Sequence, residues 1–166
     1  MKTTSLVAIA AFMAVLGCIG RAEAKGAYQN DNELKLVKTI GISVINDVTG
    51  NCLSNPHSLQ TEAELIFRRS RIAVKDYSGT PGAFFVSIEV HGSELDQSLG
   101  ASCAISLRVE LARFAPMPEG HLALVTGYFN GADVVWAKSE LQERVRSRVS
   151  EIATDLANEI LKARGQ

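Results

Sequence analysis

The chain has 166 residues, with 17 Lys and Arg against 18 Asp and Glu and a formal net charge of −1. That balance excludes binding of nucleic acid by bulk charge. With 46% hydrophobic residues, no repeats and no low-complexity tracts, the chain reads as one globular domain large enough to bury a core.

The N-terminus reads as an export signal. Lys2 supplies a positive charge, and "LVAIAAFMAVLGCIG" then runs uncharged from Leu6 to Gly20. A charged start, a short apolar run and a small-residue exit mark a secretory signal peptide. The run is shorter than the roughly 20 residues a membrane span needs, and no later run is longer. Ala22 and Ala24 fit an A-x-A site, so residues 1–24 are expected to leave by a cut after Ala24. The alternative is a cut just before Cys18, in "VLGC", which leaves a membrane-anchored lipoprotein. Leu16 is bulky for such a box, so the soluble product is preferred. Either way the chain is exported, with the periplasm preferred over full secretion. Cys52 and Cys103 remain after either cut. In an oxidising compartment such a pair reads as a disulfide; two buried free thiols are the alternative.

Residues 25–33, "KGAYQNDNE", are polar and expected to fray. A single domain spans 34–166. From Leu34 to Val44 apolar residues fall mostly on even positions, which predicts a half-buried strand. A polar loop, "NDVTGNCLSN", leads to Asn55-Pro56, read as N-cap and first helical residue. Leu59, Ala63, Ile66 and Phe67 share one face of that helix, which ends near Ser70. "IAVKDY" reads as a short strand before the breaker "SGTPG". "AFFVSIEVH" alternates, with Phe84, Val86, Ile88 and Val90 on one side. After a polar loop, Cys103, Ile105, Leu107, Val109 and Leu111 alternate in the same way. "HLALVTGYF" is a further strand, and Asn130-Gly131 reads as a two-residue hairpin turn into a short strand "DVVWA"; an ordered loop is the alternative. Ser139 and Gln142 form a capping-box pattern at the start of a long final helix. Its stripe is Leu141, Val145, Val149, Ile152, Leu156 and Ile160, and Gly165 stops it.

The order β-α-β-β-β-(β)-α predicts an α+β fold: a two-layer sandwich. A mainly antiparallel sheet of four to six strands is covered on one face by two helices. The other face, with Ser87, Glu89, Ser106, Arg108 and Glu110, stays wet or meets a partner. A disulfide strains this picture. A regular crossover puts Cys52 at one end of the sheet, and full passes through the next two strands put Cys103 at the other. Either the loop 46–55 runs back along the sheet or "IAVKDY" is not a full pass.

Little chemistry stands out. His91 and His121 fall at opposite ends of the sheet, and His57 lies in a first helical turn. No H-x-x-x-H or C-x-x-C spacing, no G-x-S-x-G elbow and no P-loop occurs. No catalytic, cofactor-binding or metal-binding residues and no cofactor are expected. Arg68, Arg69 and Arg71 end the first helix, where they complement its dipole. Arg144, Arg146 and Arg148 lie early in the last helix, a candidate patch for an anionic envelope component or a protein partner; a solvated helix face is the alternative. Tyr128 and Trp136 flank the proposed hairpin, either as core, preferred for Trp136, or as an aromatic rim.

The stretches "IGISVIND" and "LQTEAELIFRRSRIAV" and the final helix, in this order, carry one resemblance. The chain resembles small exported α+β modules of Gram-negative envelopes. Examples are the lipoprotein partner of the lipopolysaccharide translocon and the N-terminal domain of the Tol-system β-propeller protein. The resemblance is one of topology and brings no functional residues with it. The expectation is a non-catalytic exported accessory protein with a protein or envelope-component partner. The alternatives are a lipoprotein tethered through Cys18 in envelope assembly, or a small enzyme with a site assembled only by folding.

Overall fold

The computed structural model describes residues 28–77, 79–95 and 101–166. The leader, Cys18 and the cut after Ala24 lie outside them. The elements run β1 (Tyr28–Gln29), α1 (Asp31–Leu34), β2 (Thr39–Val48), α2 (His57–Arg69), β3 (Ala73–Val74), β4 (Phe84–Glu94), β5 (Ser102–Pro116), β6 (Leu122–Ala137) and α3 (Lys138–Ala163). The strands form one six-stranded sheet in the order β1-β6-β5-β4-β2-β3. Strands β4, β5, β6 and β1 pair antiparallel, whereas β2 is parallel to both β3 and β4. Helices lie on one face, which gives the two-layer α+β sandwich.

Alternation builds the core. Ile40 and Ile42 on β2, Phe84 to Val90 at even positions on β4, and Cys103 to Leu111 at odd positions on β5 are all buried. They meet Leu59, Ala63, Ile66 and Phe67 of α2 and the whole predicted stripe of α3 in one cluster. Burying a side chain such as Leu156 or Phe67 contributes about 1.5–3 kcal/mol. At 26 residues, α3 is roughly 39 Å long and packs on β5 and β6 beside α2 and α1.

Several local expectations fail for identifiable reasons. Asn130-Gly131 is no hairpin turn: β6 runs unbroken through it, with Asn130 opposite Val109 and Gly131 opposite Arg108. The type I′ turn needs positive φ, which Gly131 does not adopt. Its missing side chain serves a close approach instead, since a Cβ there would lie 2.8 Å from the Leu107 carbonyl oxygen. Of the residues 25–33 expected to fray, Tyr28 and Gln29 pair with β6 and Asp31 to Glu33 open α1, started by the Asn30 side chain accepting from the Asn32 N–H. Leu34 and Leu36 therefore precede β2 and are no part of it. "IAVKDY" supplies only the two-residue β3, at the edge of β2.

The helix starts also differ. Pro56, not Asn55, holds the N-cap position of α2, while the Asn55 carbonyl accepts from the Ser58 N–H and hydroxyl. At α3 the N-cap is Ala137, with no side-chain cap. Strand β6 feeds the helix directly, and the Lys138 N–H still donates to the Ala101 carbonyl at 2.8 Å. The helix has already begun at Lys138, so Ser139 lies inside its first turn and does not cap it. Gln142 instead clamps the two long helices: its Oε1 accepts from the Asn55 N–H at 2.9 Å, and its Nε2 donates to the Asn55 carbonyl.

Two further features hold the layers together. Where β5 meets β6, the register shifts so that Leu111 faces Tyr128 and Ala112 faces Thr126, leaving Gly127 as the extra residue of a bulge. Its carbonyl accepts from the Asn30 N–H, and α1 is pinned beside it by Arg113 donating twice to Glu33, at 2.6 and 3.0 Å. At the end of α2, Arg71 adopts φ 60° in a Schellman-type stop, with the Ile72 N–H reaching the Phe67 carbonyl.

Because β2 and β4 are parallel, both finish at the same end of the sheet, its upper end. Cys52 follows β2, and Cys103 lies opposite Glu94 of β4. The cysteines are bonded, with Cα atoms 6.1 Å apart. Of the two ways out of the geometric conflict, the truncated β3 is the one realised. The bridge closes a 51-residue separation, so replacing both cysteines by Ala is expected to cost about 4 kcal/mol, in the chain-entropy account. Urea unfolding of oxidised protein and of the double variant measures the difference.

Candidate functional site

Among the described residues, no helix covers the sheet face opposite the helices. Strand parity fixes what it carries. Gly41, Ser43, Ile45 and Asp47 of β2 stand beside Phe85, Ser87, Glu89 and His91 of β4. These continue into Ala112, Glu110, Arg108 and Ser106 of β5, then Thr126, Phe129, Gly131 and Asp133 of β6. All five residues expected on the wet face are therefore together on it.

The centre of this face is a connected polar patch. Glu110 accepts from Arg108 at 2.9 Å and from the Thr126 hydroxyl. The Arg108 guanidinium also lies 4.7 Å from the centre of the Phe129 ring, a cation–π contact. The Ser87 hydroxyl donates to Glu89 at 3.3 Å. Neighbours crowd this patch enough that Ser87 and Glu110 are only 6% and 7% exposed, although no layer lies above them. Arg108 and His91 remain exposed at its margin. His91 is 3.6 Å from Asp47 and 3.9 Å from Glu89.

Towards the lower end, where β2 and β4 start, the face turns apolar. Tyr77 packs edge-on to Phe85 at 5.1 Å, and Phe85 stacks on Phe114 at 5.6 Å. Tyr77 lies over Gly41, where a Cβ would come within 2.9 Å of its Cα. Leu124 and Leu122 of β6 extend this row opposite Phe114 and Pro116. Sequence reasoning missed this band. The available signal was the apolar residue at the polar-parity positions of Phe85 and Phe114.

The predicted arginine patch is split and neutralised: Arg144 and Arg148 stand one turn apart on one face of α3, Arg146 stands away from them, and each is paired with a carboxylate. Arg144 pairs with Glu140 at 3.3 Å, Arg146 with Glu143 at 3.0 Å and Arg148 with Glu151 at 2.6 Å. Arg146 lies roughly 200° around the helix from Arg144. Its guanidinium pKa is raised, first by the hydrogen bond to Glu143 and then by that carboxylate's charge. The shallow groove beside it, about 520 Å³, sets Glu62, Glu143, Glu151 and Asp155 against Arg146 alone. An anion would meet mostly carboxylates there. Arg68 pairs with Glu64 at 3.5 Å, while Arg69 and Arg71 are exposed at the end of α2.

His121 precedes β6 at the lower end and His91 lies towards the upper, so the structure keeps them apart, with His57 at the start of α2. Among the described residues no group of three His, Cys, Asp or Glu could hold a metal, and no helix is long and apolar enough to cross a membrane. Tyr128 and Trp136 face the helices: Tyr128 is buried and Trp136 packs half-buried against the core. They form no exposed rim.

No family model and no curated protein matches the sequence. Among solved structures, the chain is similar to the PelC dodecamer from Paraburkholderia phytofirmans, at 13% identity and a TM-score of 0.52 over 79% of this chain and 94% of that one. The shared feature is the fold. The chain is also similar to a minor lipoprotein from Acinetobacter baumannii, at 13% identity and a TM-score of 0.41 over 77% and 93% of the two chains. A third is the rare lipoprotein B from Shewanella oneidensis, at 13% identity and a TM-score of 0.28 over 75% and 93%. Likenesses as loose as these last two carry no argument.

Burial raises the Tyr128 phenol pKa, against a smaller opposing effect of the Asn130 hydrogen bond. The neutral phenol is thus favoured by folding. Its contribution is full below the unfolded value of about 10 and is lost as pH rises through the higher folded value. Tyr128→Phe is expected to flatten the alkaline limb of stability against pH, as read from urea midpoints above and below that value.

Proposed function

We propose that this chain is an exported, non-catalytic accessory protein of a bacterial envelope that works by docking a protein partner on the open sheet face. The observation that carries this reading is the open face itself, where Arg108 and His91 are exposed at the margin of a polar patch built around Glu110, a carboxylate held by Arg108 and Thr126. Such a patch offers charge-assisted hydrogen bonds on a rigid platform, suited to recognition. The N-terminal signal pattern supports export, as does the Cys52–Cys103 bond.

A second reading is assembly with further copies, and one observation favours it. Among the described residues, the 16-residue strand β6 is paired on its outer side only by Tyr28 and Gln29, and β2 is covered by β3 only at Thr39 and Ile40. Open edges on both sides of one sheet are the requirement for head-to-tail association. The similar PelC structure is described as a dodecamer.

A photo-crosslinking residue at Ser106, on the open face, is expected to give a discrete adduct with another protein in the native envelope, whereas one at exposed Leu65 on α2 is not. Adducts only from Leu65, or only with the chain's own copies, contradict the first reading. Mass spectrometry of the mature N-terminus is expected to find Lys25, with acylated Cys18 as the tethered alternative; an intact leader contradicts export.

A further inference from the structure

The lower end of the open face differs from its polar centre. Tyr77, in the segment after β3, is 43% exposed, and Leu122 and Leu124 of β6 are each 52% exposed; the rings of Phe85 and Phe114 link them across the face. Leu36, 56% exposed, stands across a cleft of about 330 Å³ that Tyr77 also lines. Single exposed leucines are ordinary, but a contiguous row marks a contact surface.

Cations border the same end. Lys38 and Lys75 line the cleft beside Leu36 and Tyr77, with Asp76 as its one carboxylate. Both lysines are exposed. Arg71 is exposed as well, at the end of α2 just before β3. A tyrosine and leucines at the same end of the sheet as lysines is chemistry that suits the boundary between headgroups and acyl chains. There the ring and alkyl groups enter, and the ammonium groups remain at the anionic surface.

We propose that this lower end docks onto an anionic phospholipid surface, with Tyr77, Leu122 and Leu124 inserted at the headgroup level and Lys38 and Lys75 facing the lipid phosphates. The inference deepens the envelope reading above by naming the surface on which the protein sits, and it leaves the polar centre of the face free for a partner. The contact is peripheral. It needs no spanning helix and adds a second attachment to any lipid tether, since one acyl chain alone anchors only marginally.

The test uses the mature chain and two sets of vesicles, one of phosphatidylcholine alone and one mixing it with phosphatidylglycerol. Sedimentation is expected to pellet the protein with the mixed vesicles and to weaken as salt is raised. Replacing Lys38 and Lys75 by Glu should weaken partitioning by at least about 25-fold, roughly fivefold for each lysine lost. Leu122→Asp with Leu124→Asp should abolish it, while Ile45→Asp, elsewhere on the same face, should leave it unchanged. All these positions are exposed, and matching urea midpoints confirm that the variants fold. Free glycerol phosphate in excess is expected not to compete. Equal binding of the lysine variant, or no binding to mixed vesicles, overturns the proposal. So does concentration-dependent self-association that the leucine variant removes, which assigns the row to a second copy. A vesicle failure leaves the export reading standing, because that reading is decided separately by the mature N-terminus.

Discussion

The rest of the structure depends on both long helices burying their apolar stripes against the same face of one sheet. Leu59 to Phe67 on α2 and Leu141 to Ile160 on α3 reach the same buried cluster, and Gln142 locks the helix pair at its upper end. With two helices used on one side, no helix of the described chain covers the other, and only Tyr77 lies over its lower end, at Gly41. The face so exposed must be soluble, and its centre is soluble because Arg108, Glu110, Ser87 and Glu89 satisfy one another there. Its lower end is not polar, and that departure turns a scaffold question into a functional one.

The parallel pairing of β2 with β4 sets the remaining geometry. It brings the end of β2 and the start of β5 to the same end of the sheet, which allows the disulfide. It also gathers the starts of β2, β3 and β4 at the opposite end. The cleft with Lys38, Lys75 and Tyr77 forms there. The stapled end and the apolar end are thus opposite consequences of one crossover. At the side of the sheet away from the crossover, the bulge at Gly127 and the Glu33–Arg113 pair fix α1. The Arg113 pKa is raised, first by its hydrogen bond to Glu33, against desolvation.

Much of this was legible in the residues. Period-two alternation located Phe84–Val90 and Cys103–Leu111 with the correct buried side, and the spacing of Leu141 to Ile160 located α3, because these patterns record burial directly. What failed were local signals that tertiary context overrode. Asn130-Gly131 carries strong turn chemistry, yet fifteen residues of β5 needed a continuous partner. Ser139 and Gln142 match a capping box, yet β6 runs into α3 without a loop. The five polar residues of the open face were readable from strand parity. The apolar row was not, because Tyr77, Phe114 and Leu124 come from three separate segments that only the sheet register brings together. The arginines of α3 were visible, but their neutralisation by Glu140, Glu143 and Glu151 depends on rotamers that composition does not reveal.

The central claim is that one sheet face is bare in the free protein and therefore available for contact. Lysine substitution compares the two faces within a single strand, since Ile45 of β2 is 47% exposed on the open face and Ile42 is 5% exposed beneath the helices. Urea unfolding of the mature protein is predicted to show Ile45→Lys within about 0.5 kcal/mol of the parent and Ile42→Lys destabilised by more than about 4 kcal/mol. Equal, large losses at both positions would mean that the supposedly open face is covered, and would contradict the account.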